Sequence, residues 1–358
     1  MKRLRALIPA VVVAILILSG IIGIVWGFIA ALTTFFCMVV AIYIGASWFI
    51  YYLAISRKSK KTLVFSAPHN ECAPTRTQVN EQRRAEFDHW LRHITIENTS
   101  IKSQSGLTLY AHIIRSKPES SRWVVICHGY ASSNDENMLF VAQSFHEMGY
   151  CILMPDARGH GKSEGKHIGM GWLDRLDIVQ WIKKIGDTYN VTDIVLYGVS
   201  MGAASVLMTS GEPLPPEVKA VIADCGYTSA MKEILYQMKS YLGISAFLTI
   251  HLASLFTRIF AGYWLGEASA LRQLAKSKTP TLLIHGSADS FVPPYMLEEL
   301  YNAARCPKQK MLVEGAGHGQ SAIVERTRYW QTINDFLAKL VRLHQHNTNK
   351  KPEDYINP

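Results

Sequence analysis

The first 61 residues contain no aspartate or glutamate, and Ala6 through Ser56 contain no charged residue and no histidine. A stretch of that length excludes a cleavable secretory signal, whose apolar region is about 7–15 residues long. A soluble core helix of this size is implausible as well. As one helix the run would reach about 76 Å, against a bilayer core of roughly 30 Å. A hairpin of two spans near 7–27 and 33–54 uses the length, with Gly27, Thr33 and Thr34 near the turn. Trp26 and Phe28 would mark one interface, and Trp48, Tyr51 and Tyr52 the other. Both flanks of the run are basic, which favours the cytoplasmic side for each. A single span would leave one basic cluster outside. The expected location is therefore the cell membrane, with the rest of the chain on the cytoplasmic face and the lipid bilayer as a partner.

Other absences narrow the function. Seven of the 37 lysines and arginines lie in the first 61 residues, leaving 30 against 28 acidic residues elsewhere, so the net charge of +9 gives no basic groove for nucleic acid. The six cysteines show no metal-ligand spacing and no disulfide framework, and they fit a reducing compartment. There is no His-Glu-x-x-His pattern, so His160 and His167 do not make a metal site, and no metal or other cofactor is expected. Gly161-Lys162-Ser163 invites a phosphate-loop reading, but that loop needs a glycine where Asp156 stands. No internal repeat is present.

What remains has a rhythm. Apolar runs at 107–114, 123–128, 150–155, 193–197, 219–224, 280–285 and 309–314 alternate with helical patterns near 136–148, 173–188, 201–210, 295–305 and 324–342. Near-continuous apolar strands alternating with helices predict a mostly parallel sheet covered on both faces. Residues 57–90 read as a linker with room for a short helix, 91–342 as the globular domain, and 343–358 as a disordered tail. About 50 residues after Asp224 have no strand signal and are apolar and helical, which predicts an inserted helical cap over about 228–274.

The strand at 193–197 runs directly into Gly198-Val199-Ser200-Met201-Gly202 and then small, helix-compatible residues. A serine between glycines at a strand-to-helix reversal presents its hydroxyl above the sheet, and the backbone N–H of Met201, at a helix start, points where an oxyanion would form. A hydroxyl needs a base, and the base an orienting acid, in the chain order serine, acid, histidine. Asp289 in IHGSADSFVPP and His318 in VEGAGHGQS stand after later strands in that order; Asp224, also at a strand end, is the rival acid. The second oxyanion donor is expected from the loop CHGYASSNDEN, at the backbone N–H of Tyr130.

CHGYASS, DARGHGKSEG, YGVSMGAAS, IHGSADSFVP and EGAGHGQS, arriving in order over roughly 90–342, resemble the α/β-hydrolase superfamily, and among its members bacterial membrane-anchored hydrolases akin to the prolyl-oligopeptidase and serine-aminopeptidase-like branch. The resemblance implies an α/β fold, with Ser200 as nucleophile, Asp289 as acid, His318 as base, and Tyr130 and Met201 lining the oxyanion hole. The expected activity is a serine hydrolase cleaving an ester, thioester or amide through an acyl-enzyme, on an acyl, small-molecule or peptide substrate. The alternative is a membrane-bound interaction or sensing protein on a catalytically weak hydrolase scaffold.

Overall fold

The computed structural model describes residues 2–59, 81–116, 118–132, 136–242 and 247–348. The chain divides into two compact units, residues 68–230 with 268–358 and residues 1–67 with 231–267.

The larger unit holds an eight-stranded sheet. Its strands are β1 (Ile96–Lys102), β2 (Thr108–Ile114), β3 (Arg122–Cys127), β4 (Cys151–Pro155), β5 (Asp193–Val199), β6 (Val218–Asp224), β7 (Thr281–Gly286) and β8 (Lys308–Val313). They lie in the order β1-β2-β4-β3-β5-β6-β7-β8. The β1–β2 and β2–β4 pairs are antiparallel and the rest parallel. The seven apolar runs correspond to β2–β8. The additional strand, β1, reads IENTSIK and has no fully buried residue. An edge strand needs no apolar run to hold its place, so the hydrophobic pattern carries no sign of it.

Alternation along the strands serves two layers. Val124, Ile126, Ile152, Met154, Val195, Tyr197, Ile222 and Ile284 point to one face. There they meet α3 (Glu81–His93), α4 (Glu136–Glu147) and the last helix (Arg326–Thr348) through Phe87, Phe145, Tyr329, Ile333 and Leu337. On the other face, α6 (Met201–Thr209), buried along its whole length, packs on β3, β5 and β6. Next to it lies α5 (Asp174–Thr188), which buries Ile178, Trp181, Ile182 and Ile185 at helical spacing. Each such side chain contributes roughly 1.5–3 kcal/mol by leaving water. The last helix continues to Thr348, six residues into the stretch expected to be disordered, because no glycine or proline interrupts 343–348; residues 349–358 lie outside the described ones.

In the smaller unit, α1 (Lys2–Trp26) and α2 (Phe28–Ile55) are separated by Gly27, whose φ of 88° breaks the helix. A Cβ on Gly23 would come within 3.1 Å of the Ala31 Cβ. On a straight helix the two positions would be about 12 Å apart along the axis, so the chain doubles back at Gly27. The stretch expected as a cap forms α7 (Ala230–Leu242) and α8 (Phe247–Ala261), and residues 231–267 group with these N-terminal helices. Most of the expected linker, residues 60–80, lies outside the described residues.

Candidate active site

The backbone at the end of β5 explains both glycines of the serine motif. Ser200 has φ 57° and ψ −118°, outside the ordinary basins for an L-residue. Its N–H is held by the Asp224 carbonyl at 2.9 Å and its carbonyl accepts from Ala204 N–H at 3.0 Å, so the bend is pinned on both sides. A Cβ on Gly198 would sit 2.3 Å from the Gly202 backbone, and one on Gly202 would sit 2.0 Å from the Cys127 carbonyl oxygen. Strand, turn and helix close up only because those atoms are missing. Buried Met201 is the first residue of α6, and its N–H has no acceptor within the helix.

The loops after β7 and β8 are laced together. Ala288 N–H donates to the Ala316 carbonyl at 3.0 Å, Ser287 N–H to the Val313 carbonyl at 2.9 Å, and Gly315 N–H to the Ser287 hydroxyl at 2.8 Å. A Cβ on Gly286 would meet the Ala316 oxygen at 2.2 Å, so this glycine sets how closely the loops approach. The lacing brings His318 Nδ1 to 2.7 Å from Asp289 Oδ2 and His318 Nε2 to 2.8 Å from Ser200 Oγ. All three side chains are buried. With Nδ1–H donating to the carboxylate, Nε2 accepts the serine O–H.

Asp289 is fixed from every side. Its Oδ1 accepts from Phe291 N–H and Val292 N–H at 2.9 Å each, and its Oδ2 also lies 3.3 Å from His285 Nε2. Burial pushes this carboxyl upward, but the charges and hydrogen bonds of His318 and His285 outweigh burial and hold it well below the usual carboxylate range. His285 gives its Nε2–H to the Val292 carbonyl at 2.9 Å. Burial lowers its pKa, and the bond and charge of Asp289 overcome that and raise it. The rival acid is committed elsewhere: Asp224 accepts from Ser321 Oγ at 3.1 Å and Tyr329 OH at 3.0 Å, and Tyr329 OH meets Tyr197 OH at 2.8 Å. Burial raises the Asp224 pKa, in part offset by the Tyr329 hydroxyl.

The loop carrying Tyr130 runs against the serine; a Cβ on Gly129 would lie 3.4 Å from Ser200 Cβ. Two histidines shape it. His160 Nε2 accepts from Ala131 N–H at 3.2 Å, which leaves Nδ1–H to donate to the Arg158 carbonyl at 3.1 Å. His128 Nε2 accepts from Ala157 N–H at 3.0 Å and its Nδ1–H meets the Gly129 carbonyl at 2.8 Å. From the sequence, His160 has no role beyond the metal site that its spacing rules out. Its signal was the glycine-rich turn around it, DARGHGKSEG. That turn wraps a carboxylate, with Lys162 N–H 2.8 Å from Asp156 Oδ2. Arg158 forms a buried two-point ion pair with Asp177 at 2.6 and 2.7 Å. The thiol of Cys225 lies within 4.8 Å of the Asp289 and His318 donor atoms, and burial raises its pKa well above the ordinary value. Cys127, beside His128, is likewise pushed up by burial and packs as an apolar group.

Comparison with known proteins agrees with this architecture. Residues 122–243 match the family model for the alpha/beta hydrolase fold. The chain is 28% identical over 218 residues to YqkD of Bacillus subtilis, covering 61% of this chain and 71% of that one. It is 25% identical over 248 residues to a membrane protein of Saccharomyces cerevisiae, covering 69% and 81%. Among solved structures, an esterase of Pyrococcus furiosus superposes with a TM-score of 0.58 at 23% identity, covering 74% of this chain and 95% of that one. An acylaminoacyl peptidase of Pyrococcus horikoshii superposes with a TM-score of 0.53 at 16% identity, covering 72% and 43%.

Proposed function

We propose that this chain, a member of the α/β-hydrolase superfamily, is a membrane-anchored serine hydrolase that cleaves an ester, thioester or amide. The observation that carries this reading is the unbroken run of hydrogen bonds from Asp289 through His318 to a serine held in a strained turn. His318 Nε2 takes the proton from Ser200 as the oxygen attacks the carbonyl. Asp289 holds the ring in the tautomer that can do so and stabilises the imidazolium that forms. The Met201 and Tyr130 N–H groups receive the oxyanion, a contribution of about 2.7–4 kcal/mol for each such donor. The imidazolium then protonates the leaving group, and water admitted to the same site is deprotonated by His318 to release the acyl group from Ser200. The first of these proton transfers is between groups already within hydrogen-bonding distance, Ser200 Oγ and His318 Nε2 at 2.8 Å.

Anchoring is part of the proposal. From Ala6 onward the α1–α2 pair carries no charged residue; it turns back at Gly27 and exposes apolar side chains, among them Ile17, Ile24, Ile29 and Phe36. Basic residues at both ends favour the cytoplasmic side for both. The membrane surface and the apolar character of residues 234–266 favour an acyl or lipid-like substrate over a peptide.

A fluorophosphonate probe tests the chemistry. The parent protein is expected to label, and Ser200→Ala, folded to the same melting temperature, is not. Absence of labelling in the folded parent would leave a binding scaffold as the reading.

A further inference from the structure

The inserted helix α8 is apolar on the side that its neighbours leave uncovered. Its inner side carries Ile250, Ala253, Ser254 and Thr257, all buried at helical spacing. Tyr43 of α2 donates its hydroxyl to the Leu248 carbonyl at 2.9 Å. The Trp48 ring meets Phe256 and Phe260 edge-on at 5.3 Å each, and Tyr51 stacks on Phe260 at 5.6 Å. The outer side presents Leu248 at 70% exposure, Ile259 at 61% and Phe247 at 60%, with Leu255 also exposed. A cluster of large apolar side chains of this kind marks an interaction surface.

Two further facts identify what covers it. The surface is continuous with the exposed apolar surface of α2, because α8 packs on the part of α2 that contains Tyr43, Trp48 and Tyr51, the aromatic end that leads into Arg57 and Lys58. In addition, residues 234–266 contain no aspartate or glutamate, only Lys239, His251 and Arg258, matching the acid-free N-terminal segment. Arg258 is exposed at the end of α8, where its guanidinium donates to the Gly262 carbonyl at 2.6 Å. An apolar face bounded by cations and free of acids suits the anionic cytoplasmic leaflet. At 15 residues α8 is about 22 Å long, too short for a core of roughly 30 Å.

We propose that α8 is a third membrane element that enters the bilayer without crossing it, with Leu248, Leu255 and Ile259 among lipid acyl chains beside the cytoplasmic end of α2. The proposal rests on the reading of α1–α2 as a membrane hairpin. The hydrolase unit would then be tied to the bilayer both by its N-terminal anchor and by the segment inserted between Ala230 and Ala268.

The test is accessibility of nitroxide labels in the full chain, reconstituted in nanodiscs of phosphatidylcholine and phosphatidylglycerol. Single cysteines are placed by Leu248→Cys, Leu255→Cys or Ile259→Cys in a background with Cys37→Ser and Cys72→Ser; the remaining four cysteines are buried. Phe36→Cys on α2 reports the anchor itself, and Lys183→Cys, exposed on α5, reports water. The expected result is that labels at 248, 255 and 259 favour oxygen over a water-soluble nickel chelate several-fold, as at 36 and opposite to 183. If 36 behaves as lipid-facing but 255 and 259 behave like 183, the inference is overturned and the anchor stands. If 36 also behaves like 183, both fall. Labels shielded from both reagents would mean that a protein or a second copy covers the face, which also overturns the inference. Unchanged melting curves of the labelled proteins guard against misfolding.

Discussion

Replacing Asp289 by asparagine isolates the tautomer argument, because the two oxygens of this carboxylate do different things. Oδ1 accepts from the Phe291 and Val292 N–H groups at 2.9 Å, and Oδ2 faces His318 Nδ1 at 2.7 Å. The new amide has two ways to sit. Turning its NH2 toward the two backbone donors would orphan both, at about 1–3 kcal/mol each. Keeping its oxygen there avoids that loss, so this orientation wins. The NH2 then donates to His318 Nδ1 and shifts the ring proton to Nε2, where it faces Ser200 with no lone pair to accept a proton. The expected loss in kcat is about 10⁴-fold, or about 5.4 kcal/mol of barrier, with the fold retained. The assay is turnover of p-nitrophenyl butyrate at neutral pH, beside a thermal melt of the same preparation. A folded Asp289→Asn variant that turns over within tenfold of the parent would refute the reasoning.

Three other outcomes follow from the same geometry. Asp224→Asn removes one acceptor from the Ser321 and Tyr329 hydroxyls, so it should lower stability by about 1–3 kcal/mol and keep kcat within tenfold; a loss like that of Asp289→Asn would move the acid's role to Asp224. Gly202→Ala forces a Cβ to 2.0 Å from the Cys127 carbonyl, so the melting temperature should drop sharply, by the 1–3 kcal/mol of an overpacked core or more; an unchanged melt would show that the elbow can open. Asp174 is buried with Oδ1 lacking a partner among the described residues, and burial raises its pKa from 3.8 to about 6. Across that window the folded protein keeps a proton that the unfolded chain has released, so stability falls as pH rises, by about 3 kcal/mol at most once pH passes the upper value. Denaturant melts at pH 5 and 7 should show this fall in the parent and lose it in Asp174→Asn.

The parts of this protein that could be read from the sequence are those with local causes. Strands buried on both faces are necessarily apolar runs, so β2–β8 announce themselves, whereas β1 sits at an edge and leaves only IENTSIK. The serine motif is legible because a strand-to-helix reversal with two backbone contacts under 2.5 Å tolerates only glycine at positions 198 and 202. Asp289 and His318 could be named from their place after later strands. The sequence was silent on what brings them together: Gly286, whose missing side chain lets the two loops touch, looks like any strand-end glycine. His160 stands near the site through a bond to the backbone of a remote segment, and no spacing encodes a partner 29 residues away. The pairing of α8 with α2 was equally hidden. Both helices are simply apolar, and only contact shows which apolar surface each covers.

The central claim is that Ser200 carries the acyl group during turnover. The most direct measurement is to quench a reaction with p-nitrophenyl butyrate in acid within its first turnover, digest the protein and weigh the peptides. The account predicts a mass gain of one butyryl group on the peptide containing Ser200, accumulating in the parent and absent from Ser200→Ala. A butyryl group on any other residue, or product formation by Ser200→Ala at the parent's rate, would contradict it.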